Sequence, residues 1–438
     1  MAHYKNRILF LCIGVCVFIA TAAILVFSGS VVMFGQNIPQ TDLQADYLVG
    51  YLWSIALGVA IFVWCRSKED GWALLNIWLI KSCVTLGFML FYEYNYRYLD
   101  AYSYFNVPSQ YDYQWSSSDL ISGTDNLYYL VRIYYKIMPY SYHALKVTFS
   151  MVGLIGIYLF YRAAVVYMNK ADIRLLYILS LFPSILFWSS IVGKDPIILL
   201  GVALYAYGVL NWYRCRLNRY LLVIAGGIVL TMTMRIWMGP ILVGPLLMIY
   251  LRGMRRVSAK ILAGFAIAGV LVVLWQILRE RFTIGSIQDI LRTLNVLSRS
   301  WSEDGGSGQV INIEFTSIHN VLVFLPLGMF TALLRPLPGE IPNLFGLLAG
   351  LENLVLLALS FLAIKRTRLK ELRDPVIGWL VLLVFTWAAL YGFISYQNLG
   401  TAVRFRLQIL PLFLCLLLYL SRNRRKADAH YDLSSSSL

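Results

Sequence analysis

The sequence predicts an all-α, polytopic membrane protein, and three observations carry that prediction. Hydrophobic residues make up 59% of the 438-residue chain and charged ones only 13%, a balance that soluble domains do not reach. The apolar residues gather into runs near 8–28, 48–65, 72–92, 146–168, 173–191, 196–212, 220–234, 240–251, 258–278, 318–334, 343–364, 375–396 and 407–421, of lengths that suit membrane helices. The basic residues lie between those runs, in RSKED, MNKADIR, YRCRLNR, RGMRR, KRTRLKELR and SRNRRK, as the positive-inside rule requires. That placement accounts for most of the formal charge of +15, so a nucleic-acid partner is not implied.

The first run, Ile8 to Phe27, lacks the short core and small-residue cleavage site of a removed signal peptide and reads as a retained helix. Its basic flank, HYKNR, favours a cytoplasmic N-terminus. Threading forward from there puts the basic loops inside and two long loops, 93–145 and 279–317, outside. Threading backward from the basic tail agrees only if one run does not cross. HNVLVFLPLGMFTALLRP, with Pro326 and Gly328 near its middle, is the run expected to fold back as a re-entrant hairpin. The expected architecture is thus about twelve crossings plus a re-entrant segment, both termini cytoplasmic. Its regions are N-terminal helices (1–92), first outer loop (93–145), central helices (146–278), second outer loop (279–317), re-entrant and C-terminal helices (318–421) and a disordered tail (422–438).

The first outer loop opens with YEYNYRYLDAYSYF, whose six tyrosines suit an interfacial belt. Beyond it, DNLYYLVRIYYKIMPY places Leu127, Leu130, Val131, Tyr134 and Ile137 at helical spacing and reads as an amphipathic helix on the outer surface. The second outer loop, RSWSEDGGSGQVINIE, is polar and glycine-rich and reads as a mobile lid. The six cysteines fall in or beside apolar runs without metal-ligand spacing, and the four histidines form no HxxxH pattern. No metal ligands are assigned from these.

On this topology the unusual charges share the outer side. Lys194 and Asp195 interrupt the stretch FWSSIVGKDPIILL, where a charge at mid-bilayer would cost roughly 2.5–3.5 kcal/mol. GKDP therefore reads as a turn at the outer boundary, with Pro196 in the first turn of the next helix and Asp195 as its N-cap. An N-cap beside a snorkelling lysine is the structural alternative. Arg235, Arg335, Arg404 and Arg406 also fall outside, against the positive-inside rule. Fixed cations beside apolar helices are what a lipid phosphate or pyrophosphate needs, although each alone suits headgroup contact. Glu352, inside an apolar run, reads as a helix-packing partner.

The ordered set YLDAYSYF, FPSILFWSSIVGKDPIILL, MRIWMGP, LPLGMFTALLRPLPGE with LEN, and NLGTAVRFRLQILP covers most of residues 92–411. Together these stretches resemble the GT-C superfamily of bacterial integral-membrane glycosyltransferases, related to protein mannosyltransferases and the lipid A aminoarabinose transferase. The resemblance implies transfer of a sugar from a polyprenyl-phosphate or -pyrophosphate donor to a glycan, lipid or protein acceptor at the outer face of a bacterial inner membrane. It also implies an acid in the first long outer loop that serves as general base or helps to hold a divalent metal, Mg or Mn. By position Asp100 is the match and Glu93 the nearest rival, with Asp112, Asp119 and Asp125 behind them. The family's acid follows the first helix and Asp100 the third, a departure that two additional N-terminal helices would explain. Lys194, Asp195, Arg235, Arg335, Arg404 and Arg406 are the expected substrate-binding residues. An O-antigen-type polymerase makes similar use of outer-loop arginines. A lipid-linked glycan flippase would instead carry ionisable residues near the midplane and an internal repeat.

Overall fold

The computed structural model describes residues 28–110, 122–253, 257–300, 307–309, 311 and 313–422. The run from Ile8 to Phe27, Asp112, Asp119 and residues 423–438 lie outside the described residues. Every regular element among those described is helical, with one isolated bridge between Gly308 and Asn398. Among the described residues seven helices are long and apolar enough to cross a bilayer, or eight if one bent pair counts as a single span. The protein is a multi-pass membrane protein. Its chain divides into two compact units.

Unit 1 comprises residues 1–113, 128–151 and 190–192. It draws on α1 (Ser28–Phe34), α2 (Leu43–Trp64), α3 (Lys68–Asn95), α4 (Asp100–Gln110), the end of α5 (Gly123–Tyr135) and the start of α6 (Tyr142–Met168). The Asp42 side chain caps α2 through the Ala45 N–H, and Ser67 caps α3 through the Asp70 N–H. On α2 most of the large apolar residues point outward, Val63 being 87% exposed, while Asp46 and Ser54 face inward together with Tyr47 and Ile61. That inversion of the soluble pattern marks a lipid-facing helix with a polar seam.

A π-turn at Val84–Phe88 gives α3 a second function. Lys81 and Glu93 are twelve residues apart, which an uninterrupted α-helix would place about 120° apart around its axis. The extra residue of the π-turn brings them back to one face, and Lys81, Thr85, Met89 and Glu93 are all buried. The amphipathic helix expected in the first outer loop is α5, with Leu127 and Val131 fully buried. The helix α4, by contrast, carries no clear periodic signal in its tyrosine-rich sequence.

Unit 2 comprises residues 114–127, 152–189 and 193–438. Its helices are α7 (Ile173–Leu181), α8 (Pro183–Trp188), α9 (Lys194–Cys215), α10 (Arg219–Met234), α11 (Met238–Gly253), α12 (Val257–Arg281), α13 (Ile287–Ser300), α14 (Ile318–Leu334), α15 (Leu344–Arg366), α16 (Pro375–Ser395), α17 (Leu399–Arg406) and α18 (Leu410–Ser421). Glycines set the closest packing: a Cβ at Gly227 of α10 would lie 2.5 Å from the Tyr205 backbone of α9, and one at Gly392 of α16 would lie 2.6 Å from Gly328 of α14. In a bilayer, where apolar surface gains little by leaving lipid, such backbone approach is what holds helices together.

Four local expectations need correction. The run at 173–191 is two helices, broken where Pro183 supplies no N–H and starts α8 instead. The stretch NLGTAVRFR, left between the runs at 375–396 and 407–421, is not a plain connection but forms α17, bent by 75° from α18. The run at 318–334 is no hairpin: α14 runs unbroken from Ile318 to Leu334 with Pro326 inside it. The second outer loop is not wholly mobile, because α13 docks through Leu291 and Leu294 onto Phe315, Phe324, Phe393 and Tyr396. Asn295 fixes that arrangement by exchanging two hydrogen bonds with the Phe315 backbone.

Candidate functional site

The charges of GKDP find their partners within unit 2. α9 begins at Lys194 with Gly193 as its N-cap, so Asp195 lies in the first turn rather than at the cap. Its carboxylate is therefore not spent on the helix's own N–H groups. Pro196 follows where the first turn lacks intrahelical acceptors, so the missing N–H removes no bond. Asp195 is fully buried and accepts a hydrogen bond from Arg404 Nε at 2.7 Å. Its other oxygen, Oδ1, makes no hydrogen bond and lies 3.7 Å from Arg235 Nη2.

Each cation is held by its element. Arg235 is the C-cap of α10, and its guanidinium lies 3.7 Å from the centre of the Phe405 ring. Arg404 projects from α17, whose start is fixed by the Asn398 side chain accepting from the Thr401 N–H at 3.0 Å. The Arg404 guanidinium also faces the Trp188 ring at 5.7 Å. Lys194 Nζ donates to Thr124 Oγ1 at 2.8 Å. Asp195 thus offers one negative charge against Arg235 and Arg404, with Lys194 beside it in sequence. Two guanidinium groups and one carboxylate meet among apolar helices, where the low dielectric strengthens electrostatic attraction. Arg404 is the open member, with 22% of its side chain exposed.

Arg406 and Arg335 play other parts. Arg406 is almost fully buried, and its donors go to the carbonyls of Ala332 and Arg335 and to Asn353 Oδ1. It ties the end of α14 to α15. Arg335 grips Glu340 through Nε and Nη2 and also reaches Gln309. Partial burial would raise the Glu340 carboxyl, but the Arg335 hydrogen bonds and the Leu337 N–H outweigh it and hold the group below the ordinary carboxylate range. Glu352 is buried, accepts from the Ser184 N–H at 2.6 Å, and leaves its Oε1 without a hydrogen bond. The packing role read for it in the sequence fits that placement.

The two acids proposed for catalysis belong to unit 1 and differ sharply. Glu93 is 2% exposed and engaged on both oxygens, by Tyr142 at 2.7 Å and by Lys146 at 2.8 Å. Asp100 opens α4 at an exposed position. Asp125 is half-exposed in the first turn of α5. Among the described residues no group of three or more His, Cys, Asp or Glu side chains is placed to hold a metal ion.

Sequence reading passed over Asp46, Lys81, His143 and Lys146, all buried in unit 1. Lys81 had a signal, since it stands in the middle of the apolar run LNIWLIKSCVTLG. Lys81 Nζ donates to Ser190 at 2.7 Å, and Thr85 and Ser150 share a hydrogen bond of 2.9 Å. Against known proteins, no family model, curated protein or solved structure matches this chain.

Proposed function

We propose that this chain is a membrane glycosyltransferase of the GT-C kind, with about twelve crossings, in a bacterial inner membrane. It moves a sugar from a polyprenyl-phosphate or -pyrophosphate donor to a glycan, lipid or protein acceptor at the outer face. The observation that supports this reading best is the pairing of one buried carboxylate, Asp195, with both Arg235 and Arg404. As the sugar–phosphate bond breaks, the leaving phosphate gathers negative charge, and prepositioned guanidinium groups stabilise it without reorganising. Asp195 holds those groups in place. Of the remaining acids, Asp100 is the proposed general base, because Glu93 is already held by Lys146 and Tyr142.

One observation favours the rival transporter reading: Lys81, fully buried, stands near the middle of the long helix Lys68–Asn95, where transporters keep ionisable groups. A single assay separates the two. Purified protein supplied with polyprenyl-linked sugar carrying a label is expected to form a new glycosidic bond to the acceptor. Asp100→Asn is expected to lower that transfer by roughly 10²–10⁴-fold, and Arg404→Gln by roughly 10²–10³-fold. Movement of the labelled lipid between leaflets with no new bond would overturn the transferase reading in favour of the transporter.

A further inference from the structure

Unit 1 holds a group of ionisable side chains that glycosyl transfer does not use. α2 contributes Asp46, α3 contributes Glu93, and α6 contributes His143 and Lys146, all buried. His143 Nδ1 lies 2.5 Å from Asp46 Oδ2, and Lys146 Nζ donates to Glu93 Oε2 at 2.8 Å. His143 and Lys146 are three apart on α6, so the two pairs are neighbours on one face. The Asp46 carboxylate also accepts the backbone N–H groups of Tyr142, at 2.8 Å, and of His143, at 3.3 Å. Other titratable groups turned toward this cluster are Tyr47 of α2, Tyr102 of α4, Tyr134 and Tyr135 of α5 and Tyr142 of α6.

Two facts about the cluster go together. With Nδ1–H directed at Asp46, the neutral imidazole keeps its lone pair on Nε2, and that atom is buried without a hydrogen-bond partner. With His143 neutral, two carboxylates face one ammonium, and the cluster carries an uncompensated negative charge among apolar helices. The positive N-terminal end of α6 offsets part of it. A proton on His143 would offset the rest. Water is close: Gln40, half-exposed, donates to Asp46 Oδ1 at 3.4 Å.

We infer that Asp46, His143, Glu93 and Lys146 form a proton-binding site within the membrane region of unit 1. Its ligand is one proton: hydronium gives up an O–H bond and leaves as water, an N–H bond forms at Nε2, and imidazole becomes imidazolium. The site gives this unit a charge state that follows the pH of the water beside it.

The test is nitrogen NMR on the full-length protein in lipid nanodiscs with labelled histidine. The chain has four histidines, so the signal absent from His143→Gln identifies this one. The Nε2 signal is expected to pass from bare to protonated as pH is lowered from about 9 to about 4. Glu93→Gln removes a negative charge and should move the change to a pH lower by roughly one to three units; Lys146→Met should move it upward. If His143→Gln does not fold, Asp46→Asn makes the assignment by displacing the same signal. A His143 signal that stays in one state throughout, or that titrates but ignores both charge substitutions, overturns the site.

Discussion

At the scale of single residues, the decisive contrast is between an arginine bonded to carbonyls and an amide and two arginines that meet at one carboxylate. Arg406 gives its hydrogen bonds to backbone carbonyls and an amide, so its role is to hold α14 and α15 in register. Arg404 and Arg235 instead share one carboxylate. Removing a partner from a buried ion pair strands the other charge and costs about 3–5 kcal/mol, whereas removing both can be nearly neutral. Arg404→Gln and Asp195→Asn are each expected to destabilise by about 3 kcal/mol, and the double substitution by less than their sum, with a coupling of about 1–3 kcal/mol. Denaturant unfolding in detergent measures all three. Strict additivity would mean that the pair does not act as a unit. A double variant that folds well but transfers no sugar would separate the stabilising role of the pair from its chemistry.

Between helices, stability rests on how closely backbones approach, and the sequence shows only part of this. The glycines of α14 and α16 were visible, but nothing in either run says that Gly328 and Gly392 would face each other. At Gly392 an added Cβ meets Gly328 backbone at 2.6 Å, which only a shift of the helices relieves. At Gly328 the closest atom, at 2.8 Å, belongs to the Phe324 ring, and the nearest backbone, that of Gly392, is farther off at 3.3 Å. Gly392→Ala should therefore cost about 1–3 kcal/mol, and Gly328→Ala distinctly less. Gly226→Ala, with nothing within 4 Å, should be stabilising by roughly 0.5–1 kcal/mol through helix propensity alone. Thermal unfolding of the three variants ranks them, and equal losses at Gly392 and Gly226 would show that close packing is not limiting. Where the sequence misled, the cause was local: Pro183 divides a run whose hydropathy is unbroken, and Pro326 lies within α14 without dividing it.

For the whole molecule, hydropathy and the placement of basic loops made the membrane class and most helices legible, since both are sums over neighbouring residues. Charge partners were not legible, because they are far apart along the chain. Asp195 and Arg404 are separated by 209 positions and Asp46 and His143 by 97, and no window of sequence joins them. Sidedness lies between these cases: the basic loops imply it, and the functional reading requires it, because a donor on the outer face must meet outer-face charges. In a background lacking the six native cysteines, Tyr98→Cys and Leu369→Cys probe it at positions 97% and 80% exposed. An impermeant maleimide applied to intact cells should label position 98, in the first long loop, and leave position 369, in the basic loop KRTRLKELR, untouched until the membrane is opened. The opposite pattern would place Asp100 on the cytoplasmic side, where the acid proposed as general base could not act on an outer-face acceptor.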